Sequence, residues 1–553
     1  MTILRRTSRA ALRAGGVFTG GLATVFAWDG IFNDSTLIRN IRTVKTTAQI
    51  AMDYKLNFKA DNTEGIDDLH TRTAMRILHC CQTNGGLYIK FGQQIAQQAA
   101  ILPPQYNEIL KVMYDRAPVV GFDEVRKIFR EEFGKEPDEM FKSFEPIAFA
   151  SASIAQVHRA ELFDGTQVAV KVQKPYIRKQ LDYDLFVYRM VCLSFEKLFE
   201  LPIYWSTAYT EKHLREEVDF IKEGHNAEMC NDAITKEPRL ASKLYVPKVY
   251  WDVSSPRVLT AEWIDGTSLI DHEIVASQGH SLTSVMTTLV DLFSHQIFVT
   301  GFLHCDPHPG NILVRKNPLN GETQVVVLDH GLYIRESESF RHQYALFWKS
   351  LFMVETDLTK TIAQQWGIKD AELLATATLL RPYSGAPHRS HLVSRKAKDD
   401  TRFGSQVALK ERAQKFLSDT EALPRELIFV GRNMNIVRAN NKLLGSPVNR
   451  ISRMADWAII GLAGDWKNHT PSMIFKRVPE SRLCTLQFYT RYLQFRLTLL
   501  SFDVVFYAHW IYQKITSLFS VTKPKGFEEL LDNSMIKQVK DNLGIDLTQA
   551  FEG

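Results

Sequence analysis

The chain has 553 residues, of which 45% are hydrophobic, and its formal net charge at pH 7 is +5. This length allows two to four domains with large hydrophobic cores. The small net charge gives no case for a nucleic-acid-binding protein, which needs a concentrated basic face. The six cysteines have neither metal-ligand nor disulfide-framework spacing, and we interpret Cys80, Cys81 and Cys305 as packing residues.

The first 28 residues contain four arginines and no acidic residue before Asp29, which is typical of a mitochondrial targeting segment. The arginines are Arg5, Arg6, Arg9 and Arg13. We expect residues 1–34 to form a targeting or membrane-anchor segment. Its apolar stretch, residues 15–28, is shorter than the roughly 30 Å hydrocarbon core, so it spans only with its flanks, lies in the interface or is removed. A secretory signal peptide is the alternative interpretation.

Residues 35–144 are predicted to form a helical extension, because apolar residues recur there at helical spacing. Within it, Lys90 and Gln93 are three residues apart and therefore share one helix face. Gly92 between them permits close approach of another backbone. The residues alone favour a solvated lysine and a packing glycine at these positions.

Residues 145–262 change to the two-residue period of β-strands. A stretch rich in small residues, 148–157, precedes a turn at 163–166 and a strand with the sequence VAVK. A loop, a hairpin and such a strand follow each other in the N-lobe of kinases, where the loop covers phosphates and the lysine binds them. The pattern therefore predicts Lys171 as a phosphate-binding residue.

A lysine of this kind needs an anion that holds it before nucleotide arrives. We predict one helix over residues 214–223, in which Glu217 supplies that anion, with Asp219 and Glu223 beside it. Segments at 245–246 and 257–262 are predicted strands leading to the linker between two lobes. Glu262 lies at that crossing, and we predict that it contacts the nucleotide.

Residues 301–333 combine two motifs. In the first, Asp306 follows His304 by two residues and Asn311 comes five residues later, which is the spacing of a kinase catalytic loop. In the second, Asp329 follows an apolar run, where kinases place the carboxylate that holds Mg²⁺. We therefore predict that Asp306 faces the nucleophile and that Asn311 and Asp329 hold the metal ion.

Three histidines near these carboxylates suggest a metal-dependent hydrolase as an alternative. They are His304, His308 and His330. A lone aspartate is also a common turn or capping residue. The two motifs, joined by a predicted strand, turn and strand, favour phosphoryl transfer over both alternatives.

Beyond residue 333 the pattern is helical to near the end of the chain. We predict a large helical lobe over residues 263–470, with a polar surface loop at 385–410, and a helical extension over 471–553. The helices at 483–519 are rich in aromatic residues. Their apolar face is expected either to pack on the core or to contact a membrane.

Taken together, these motifs resemble the UbiB (aarF-domain-containing) family of atypical kinases, and within it the mitochondrial group whose metal motif is DHG. The resemblance covers residues 40–460. The matching segments are the KxGQ motif at 90–93, the Ala-rich loop Ala150-Ser151-Ala152-Ser153, the strand lysine Lys171, the ExD motif Glu217-Val218-Asp219 and the catalytic loop at 304–311. Ser151 replaces an alanine of the loop, and His330 stands where protein kinases have phenylalanine.

The resemblance implies an α+β, bilobal protein-kinase-like fold with a small β-rich N-lobe, a large helical C-lobe and an N-terminal helical extension. It implies that the Ala-rich loop and Lys171 bind ATP. It also implies that the helix with Lys90 and Gln93 folds over the nucleotide site, where a protein substrate would lie. The sequence itself shows no GxGxxG motif before Lys171 and little room after Asp329 for the activation segment that receives a peptide.

We therefore expect an atypical kinase or ATPase that uses ATP and Mg²⁺ and does not phosphorylate proteins in trans. The resemblance links it to coenzyme Q and lipid homeostasis, to a small or lipid, quinone-related ligand, and to the intermembrane-space face of the inner mitochondrial membrane. Two alternatives stay open. They are a catalytically silent, ATP-gated scaffold for lipid or quinone transport, and an ordinary protein kinase.

Overall fold

A computed structural model describes residues 29–30, 35–59, 65–96, 102–114, 119–200, 203–368, 371–379, 424–463, 482–519 and 526–533. The predicted surface loop at 385–410 and residues 1–28 of the predicted targeting segment lie outside the described residues. The described elements form a helical extension, a small lobe built on a sheet, and a large helical lobe. The predicted α+β, bilobal kinase-like fold is therefore confirmed.

The helical extension comprises α1 (Thr36–Asn57), α2 (Gly65–Asn84), α3 (Leu87–Ala96) and α4 (Pro104–Leu110). Gly85 and Gly86 separate α2 from α3, and both have the left-handed backbone that ends helices, with φ of 65° and 54°. The extension is fixed to the rest of the chain through α7 (Ile177–Phe199), because Arg39 donates to Asp184 at 2.8 Å in a buried ion pair.

The small lobe contains α5 (Phe122–Phe133), α6 (Pro137–Met140) and a five-stranded antiparallel sheet. Its strands are β1 (Ser143–Phe144), β2 (Ala150–Ser151), β3 (Ala155–Glu161), β4 (Gln167–Gln173) and β6 (Val258–Glu262), in the order β1-β3-β4-β6 with β2 beside β3. Alternate residues of β4, Val168, Val170 and Val172, are buried in a core with Phe129 of α5. Because strand side chains alternate, Lys171 projects from the opposite face.

The prediction of one helix over residues 214–223 is wrong, because this segment belongs to two helices. Helix α8 (Thr207–Glu217) ends before Val218, and a second helix, α9 (Phe220–Thr235), begins after Asp219. The Asp219 carboxylate caps α9 by accepting the Ile221 N–H at 3.2 Å. This break turns Glu217 and Glu223 toward different partners.

The large lobe begins with strands that carry the catalytic segments. One sheet has the order β5-β10-β9-β7, and a separate pair joins β8 to β11. Their bounds are β5 (Leu244–Tyr245), β7 (Thr267–Ser268), β8 (Phe302–His304), β9 (Ile312–Lys316), β10 (Thr323–Val327) and β11 (Tyr333–Arg335). The predicted strand at 245–246 is β5, which pairs with β10 in this lobe, whereas the predicted strand at 257–262 is β6 of the small lobe.

The helices of the large lobe surround one extensive hydrophobic core. They are α10 (His272–Ser277), α11 (Leu282–His295), α12 (Glu338–Met353), α13 (Thr356–Gln365), α14 (Ala371–Leu379), α15 (Arg425–Leu443), α16 (Arg450–Ala463) and α17 (Arg482–Phe519). In the described part of the chain, Leu282–Thr300 alone is long and apolar enough to cross a membrane. It is 72% buried inside the lobe, as expected of a central core helix.

Candidate active site

The strand lysine is held by a carboxylate, but not by the predicted one. Lys171 Nζ donates to both carboxylate oxygens of Glu223, at 2.6 and 2.8 Å. Burial opposes the charge of this ammonium, yet Glu223 and Asp329 outweigh that effect and raise the pKa of Lys171. The predicted pairing of Lys171 with Glu217 is therefore wrong, because the break after α8 directs Glu223 from the first turn of α9 toward the lysine.

Glu217 instead forms an ion pair with Lys90 of α3. The Lys90 ammonium also lies close enough to Asp306 and Asp329 that, together with Glu217, they raise its pKa against the effect of burial. Gln93, one turn further along α3, donates to the Met113 carbonyl at 3.0 Å. The predicted Lys90–Gln93 face thus turns inward, and its lysine reaches the same carboxylates that the kinase motifs supply.

The two predicted metal ligands lie side by side. The Asn311 amide nitrogen is 3.5 Å from an Asp329 carboxylate oxygen, and the other Asp329 oxygen accepts the Gly331 N–H at 2.9 Å. Burial alone would raise the pKa of Asp329, but Lys171, the Gly331 N–H and Lys90 together lower it below its usual range. An ionised carboxylate beside an amide oxygen is the donor set that Mg²⁺ accepts, so these residues fit the metal.

Gly331 packs closely against the Asp329 carboxylate. A Cβ atom at position 331 would lie 3.2 Å from the Asp329 carboxylate oxygen, closer than an ordinary van der Waals contact. A larger residue would therefore push the carboxylate away from the Gly331 N–H that holds it. The glycine of the DHG sequence thus leaves the Asp329 carboxylate its position beside the Gly331 N–H.

His304 joins the catalytic loop to the metal motif. Its Nδ1 accepts the Asp306 N–H at 3.0 Å, and its Nε2 lies 2.9 Å from the Asp329 carbonyl oxygen, to which it donates. Burial lowers the pKa of His304, which suits a neutral ring with its proton on Nε2. The Asp306 side chain itself is 39% exposed, so it is accessible to an acceptor molecule.

Helix α15 donates hydrogen bonds to the backbone of the predicted catalytic loop. The sequence interpretation did not predict this contact. The buried Asn433 side chain donates to the His304 carbonyl at 2.7 Å, and Asn440 donates to the Pro307 carbonyl at 3.0 Å. Arg432 places its Nη2 atom 3.7 Å from Asp306. Asn433 and Asn440 are seven residues apart and therefore share one helix face. This spacing could have indicated the contact, because buried polar side chains on a helix need polar partners.

The Ala-rich loop lies at the edge of the N-lobe sheet. Ala150 and Ser151 pair with β3, and the Ala152 N–H donates to the Ala155 carbonyl at 2.8 Å. Lys174, 1% exposed, donates its Nζ to the Ala152 carbonyl at 2.6 Å. Ser153 is also buried. The loop is therefore held by its own backbone and by Lys174, a buried lysine outside the sequence motifs.

The Glu262 side chain lies on the sheet face opposite to Lys171, and the nucleotide contact of this residue stays a prediction. The register pairs Glu262 with Val168 and Lys171 with Leu259, so Glu262 and Lys171 point to opposite faces of the sheet. The Glu262 carboxylate instead accepts a hydrogen bond from the Tyr245 hydroxyl. This hydrogen bond links the two lobes and accounts for a polar residue at position 262.

The three histidines of the hydrolase alternative have structural partners. His330 lies 3.0 Å from the Tyr333 hydroxyl and 3.1 Å from the Val327 carbonyl, and burial lowers its pKa to about 3. His308 accepts the Gly310 N–H at 3.1 Å within its own turn. Throughout the ranges that the structure describes, no group of three or more His, Cys, Asp or Glu side chains is arranged to hold a metal ion.

Comparisons with known proteins agree with this geometry. The family model described as the ABC1 atypical kinase-like domain matches residues 112–364. The chain is 42% identical to an ABC1 family protein of Schizosaccharomyces pombe, over 79% of this chain and 82% of the relative. It is 34% identical to AarF domain-containing protein kinase 1 of Xenopus laevis, over 76% of this chain and 81% of the relative.

A solved structure is also similar. A Mycobacterium tuberculosis protein determined in complex with erythromycin aligns with 69% of this chain and 94% of its own, at 21% identity and a TM-score of 0.41. A likeness of this strength carries no conclusion about function.

Proposed function

The chain belongs to the ABC1 (UbiB, aarF-domain) family of atypical kinases, and from this premise we propose that it binds ATP with Mg²⁺ and transfers the terminal phosphoryl group to water or to a small or lipid molecule. The observation that carries the proposal is the arrangement around Asp329. Its lowered pKa, the adjacent Asn311 and the Lys171–Glu223 pair support a role for Asp329 in metal binding and for Lys171 in phosphate binding.

Each residue has a role in this proposal. Lys171, oriented by Glu223, binds the nucleotide phosphates, while Asn311 and Asp329 hold Mg²⁺. The bound ion supplies positive charge that stabilises the oxygens of the transferring group. Asp306, partly exposed, accepts the proton of the attacking hydroxyl or water. His304 and Asn433 keep the loop that carries Asp306 in place.

Two features support a small acceptor in preference to a protein. The first is the Lys90–Glu217 ion pair, which places helix α3 beside Asp306 and Asp329. The second is the short segment after the DHG sequence. Strand β11 pairs at once with β8, and α12 begins at Glu338, so fewer than ten residues separate Asp329 from a packed helix. A peptide-binding activation segment has no place there.

The location and the pathway are part of the same proposal. The basic, acid-free start of the sequence supports the mitochondrion, with the inner membrane as the site of action and its intermembrane-space face favoured by the family resemblance. A quinone-related or other lipid molecule is the proposed ligand, and coenzyme Q and lipid homeostasis the proposed process. Lipid and quinone profiles of mitochondria lacking the protein, rescued by the wild type or by Asp306→Ala, test this assignment.

Phosphate release from the full-length protein tests the reaction. It is measured with ATP and Mg²⁺, with and without phosphatidylcholine–phosphatidylglycerol liposomes. The proposal expects phosphate release that Asp306→Ala abolishes without loss of ATP binding. Nucleotide-dependent liposome binding without any turnover would instead identify an ATP-gated scaffold.

The protein-kinase alternative keeps one observation in its favour, since the Xenopus relative bears the name of a protein kinase. A peptide library labelled with radioactive ATP distinguishes it. We expect no peptide signal from the wild type. A signal that disappears in Asp306→Ala would establish the alternative. Lys90→Ala in the same assay shows whether the α3 lysine is what excludes peptides.

A further inference from the structure

Helix α17 is apolar on two opposite faces. One face packs on the large lobe: Phe495, Leu499 and Phe506 are buried, and Phe502 contacts the Phe352 ring of α12 edge to face at 5.6 Å. These four positions are spaced by four, three and four residues, which is one continuous stripe along a helix. The predicted core packing of this helix is therefore observed for one of its faces.

The opposite face is exposed and forms a second stripe. Each of its six large side chains is more than half exposed. They are Leu493, Leu497, Leu500, Val504, Tyr507 and Ile511, and beside this stripe Val505, Tyr512 and Ile515 are also more than half exposed. Successive members are four, three, four, three and four residues apart, and the stripe is about 27 Å long at 1.5 Å per residue. None of these side chains carries a charge, and a helix that is apolar on both sides requires a second covering surface.

The spacing and residue types fit a second helix as that surface. A strict alternation of four and three residues is the a/d seam of a coiled coil. Two of the three a positions are β-branched, Val504 and Ile511, while two of the three d positions are leucines, Leu493 and Leu500. Leucine and β-branched side chains at these positions can insert as knobs into the holes of a facing helix.

The charges beside the seam select the partner and its direction. Arg496 and Asp503 both occupy g positions, one on each side of Leu500. When two copies of α17 run antiparallel, with Leu497 of one opposite Leu500 of the other, g positions face each other. Arg496 of each copy then lies opposite Asp503 of the second copy. In this register Leu493 also lies opposite Val504, whereas Tyr507 lies opposite Thr490. An identical antiparallel helix is thus complementary in charge and, from Leu493 to Val504, in apolar character.

Both charged side chains have capacity for this additional contact. Arg496 donates to Asp456 at 3.0 Å while 53% of its side chain stays exposed, and a guanidinium has five N–H donors. Asp503 accepts from Asn449 at 2.8 Å through one of its two oxygens. We propose that the exposed face of α17 is a dimer interface, in which two copies of this chain pair as an antiparallel two-stranded coiled coil.

Sedimentation velocity of the full chain over a range of concentrations tests the proposal. We expect a species of twice the chain mass for the wild type and only monomer for Leu500→Glu. Leu319→Glu is the matched control, because Leu319 is 95% exposed on a loop outside α17 and its change should leave the dimer intact. Circular dichroism confirms that both variants are folded. A monomeric wild type, or a dimer that survives Leu500→Glu, would overturn the proposal.

A charge exchange tests the direction. Arg496→Glu alone should weaken the dimer by placing like charges together, and the double variant Arg496→Glu/Asp503→Arg should restore it. Failure of the double variant to restore the dimer would contradict the antiparallel pairing. Flotation with phosphatidylcholine–phosphatidylglycerol liposomes examines the other class of partner. A monomer that floats with liposomes, and loses this property in Leu500→Glu, would assign the face to a lipid surface and refute the dimer.

Discussion

Lys171 donates to both carboxylate oxygens of Glu223, whereas Glu217, six residues earlier, forms an ion pair with Lys90. The two acidic residues of this segment therefore have separate tasks. Under the proposed function, Glu223 orients the lysine that binds the phosphates, and Glu217 fixes helix α3 beside the acceptor. The break between α8 and α9 is what separates them.

This division predicts different effects for two similar substitutions. Glu223→Gln removes the carboxylate that neutralises the buried Lys171 ammonium. We expect ATP affinity to fall at least tenfold, which corresponds to about 1.4 kcal/mol or more in binding free energy. Glu217→Gln leaves the Lys171–Glu223 pair intact and should retain ATP affinity. Isothermal titration with ATP and Mg²⁺ measures both variants. Equal losses in the two would contradict the division.

Arg432 should act on turnover and not on nucleotide binding. Its guanidinium lies 3.7 Å from Asp306, the residue proposed to face the acceptor. Removing it in Arg432→Met leaves Asp306 less well oriented, and misplacement of a reacting group by about 1 Å costs up to roughly a hundredfold in rate. We expect kcat for phosphate release to fall tenfold to a hundredfold at an unchanged KM for ATP. Arg432→Lys should recover part of the rate, and a raised KM with normal kcat would argue against this role.

Asn433 is predicted to matter for stability as well as for the site. Its side chain is fully buried and donates to the His304 carbonyl. Asn433→Leu leaves that carbonyl without its partner, at a cost of about 1–3 kcal/mol in the free energy of unfolding. Asn435 lies exposed on the same helix, so Asn435→Leu is the control and should be nearly neutral. Urea denaturation compares them, and equal effects would show that the hydrogen bond is unimportant.

The buried Lys174 should make the free energy of unfolding depend on pH. Burial lowers the pKa of this lysine from 10.5 to about 8. Between these values the unfolded chain still holds the proton that the folded chain has released, so the free energy of unfolding should rise with pH. The rise should be absent from Lys174→Met and present in Lys142→Met, since Lys142 is 57% exposed. Urea denaturation at pH 8 and pH 10.5 is the measurement, and identical pH slopes in all three proteins would refute the assignment.

The catalytic segments could be predicted because their chemistry depends on local spacing. Asp306, Asn311 and Asp329 sit on one short stretch of chain, so the sequence indicates both their identity and their proximity. The strand register that exposes Lys171 on one face follows from alternation alone. The same alternation places the Glu262 side chain on the opposite face of the sheet. The sequence interpretation did not apply this rule to Glu262.

Contacts between distant segments could not be predicted in this way. The choice between Glu217 and Glu223 depends on a helix break only two residues long, at Val218 and Asp219. The support from Asn433 and Arg432 comes from a helix more than a hundred residues after the catalytic loop. Local spacing carries no information about such long-range packing, although the buried polar stripe of α15 was visible.

The central claim is that Asp329 and Asn311 hold Mg²⁺ for a nucleotide bound by Lys171. The most direct test is the affinity for ATP with and without Mg²⁺, measured by titration calorimetry on the wild type, Asp329→Asn and Asp306→Asn. We predict that Mg²⁺ strengthens ATP binding in the wild type and in Asp306→Asn, and that Asp329→Asn loses this effect. An Asp329→Asn variant that keeps the full Mg²⁺-dependent gain in affinity would contradict the account.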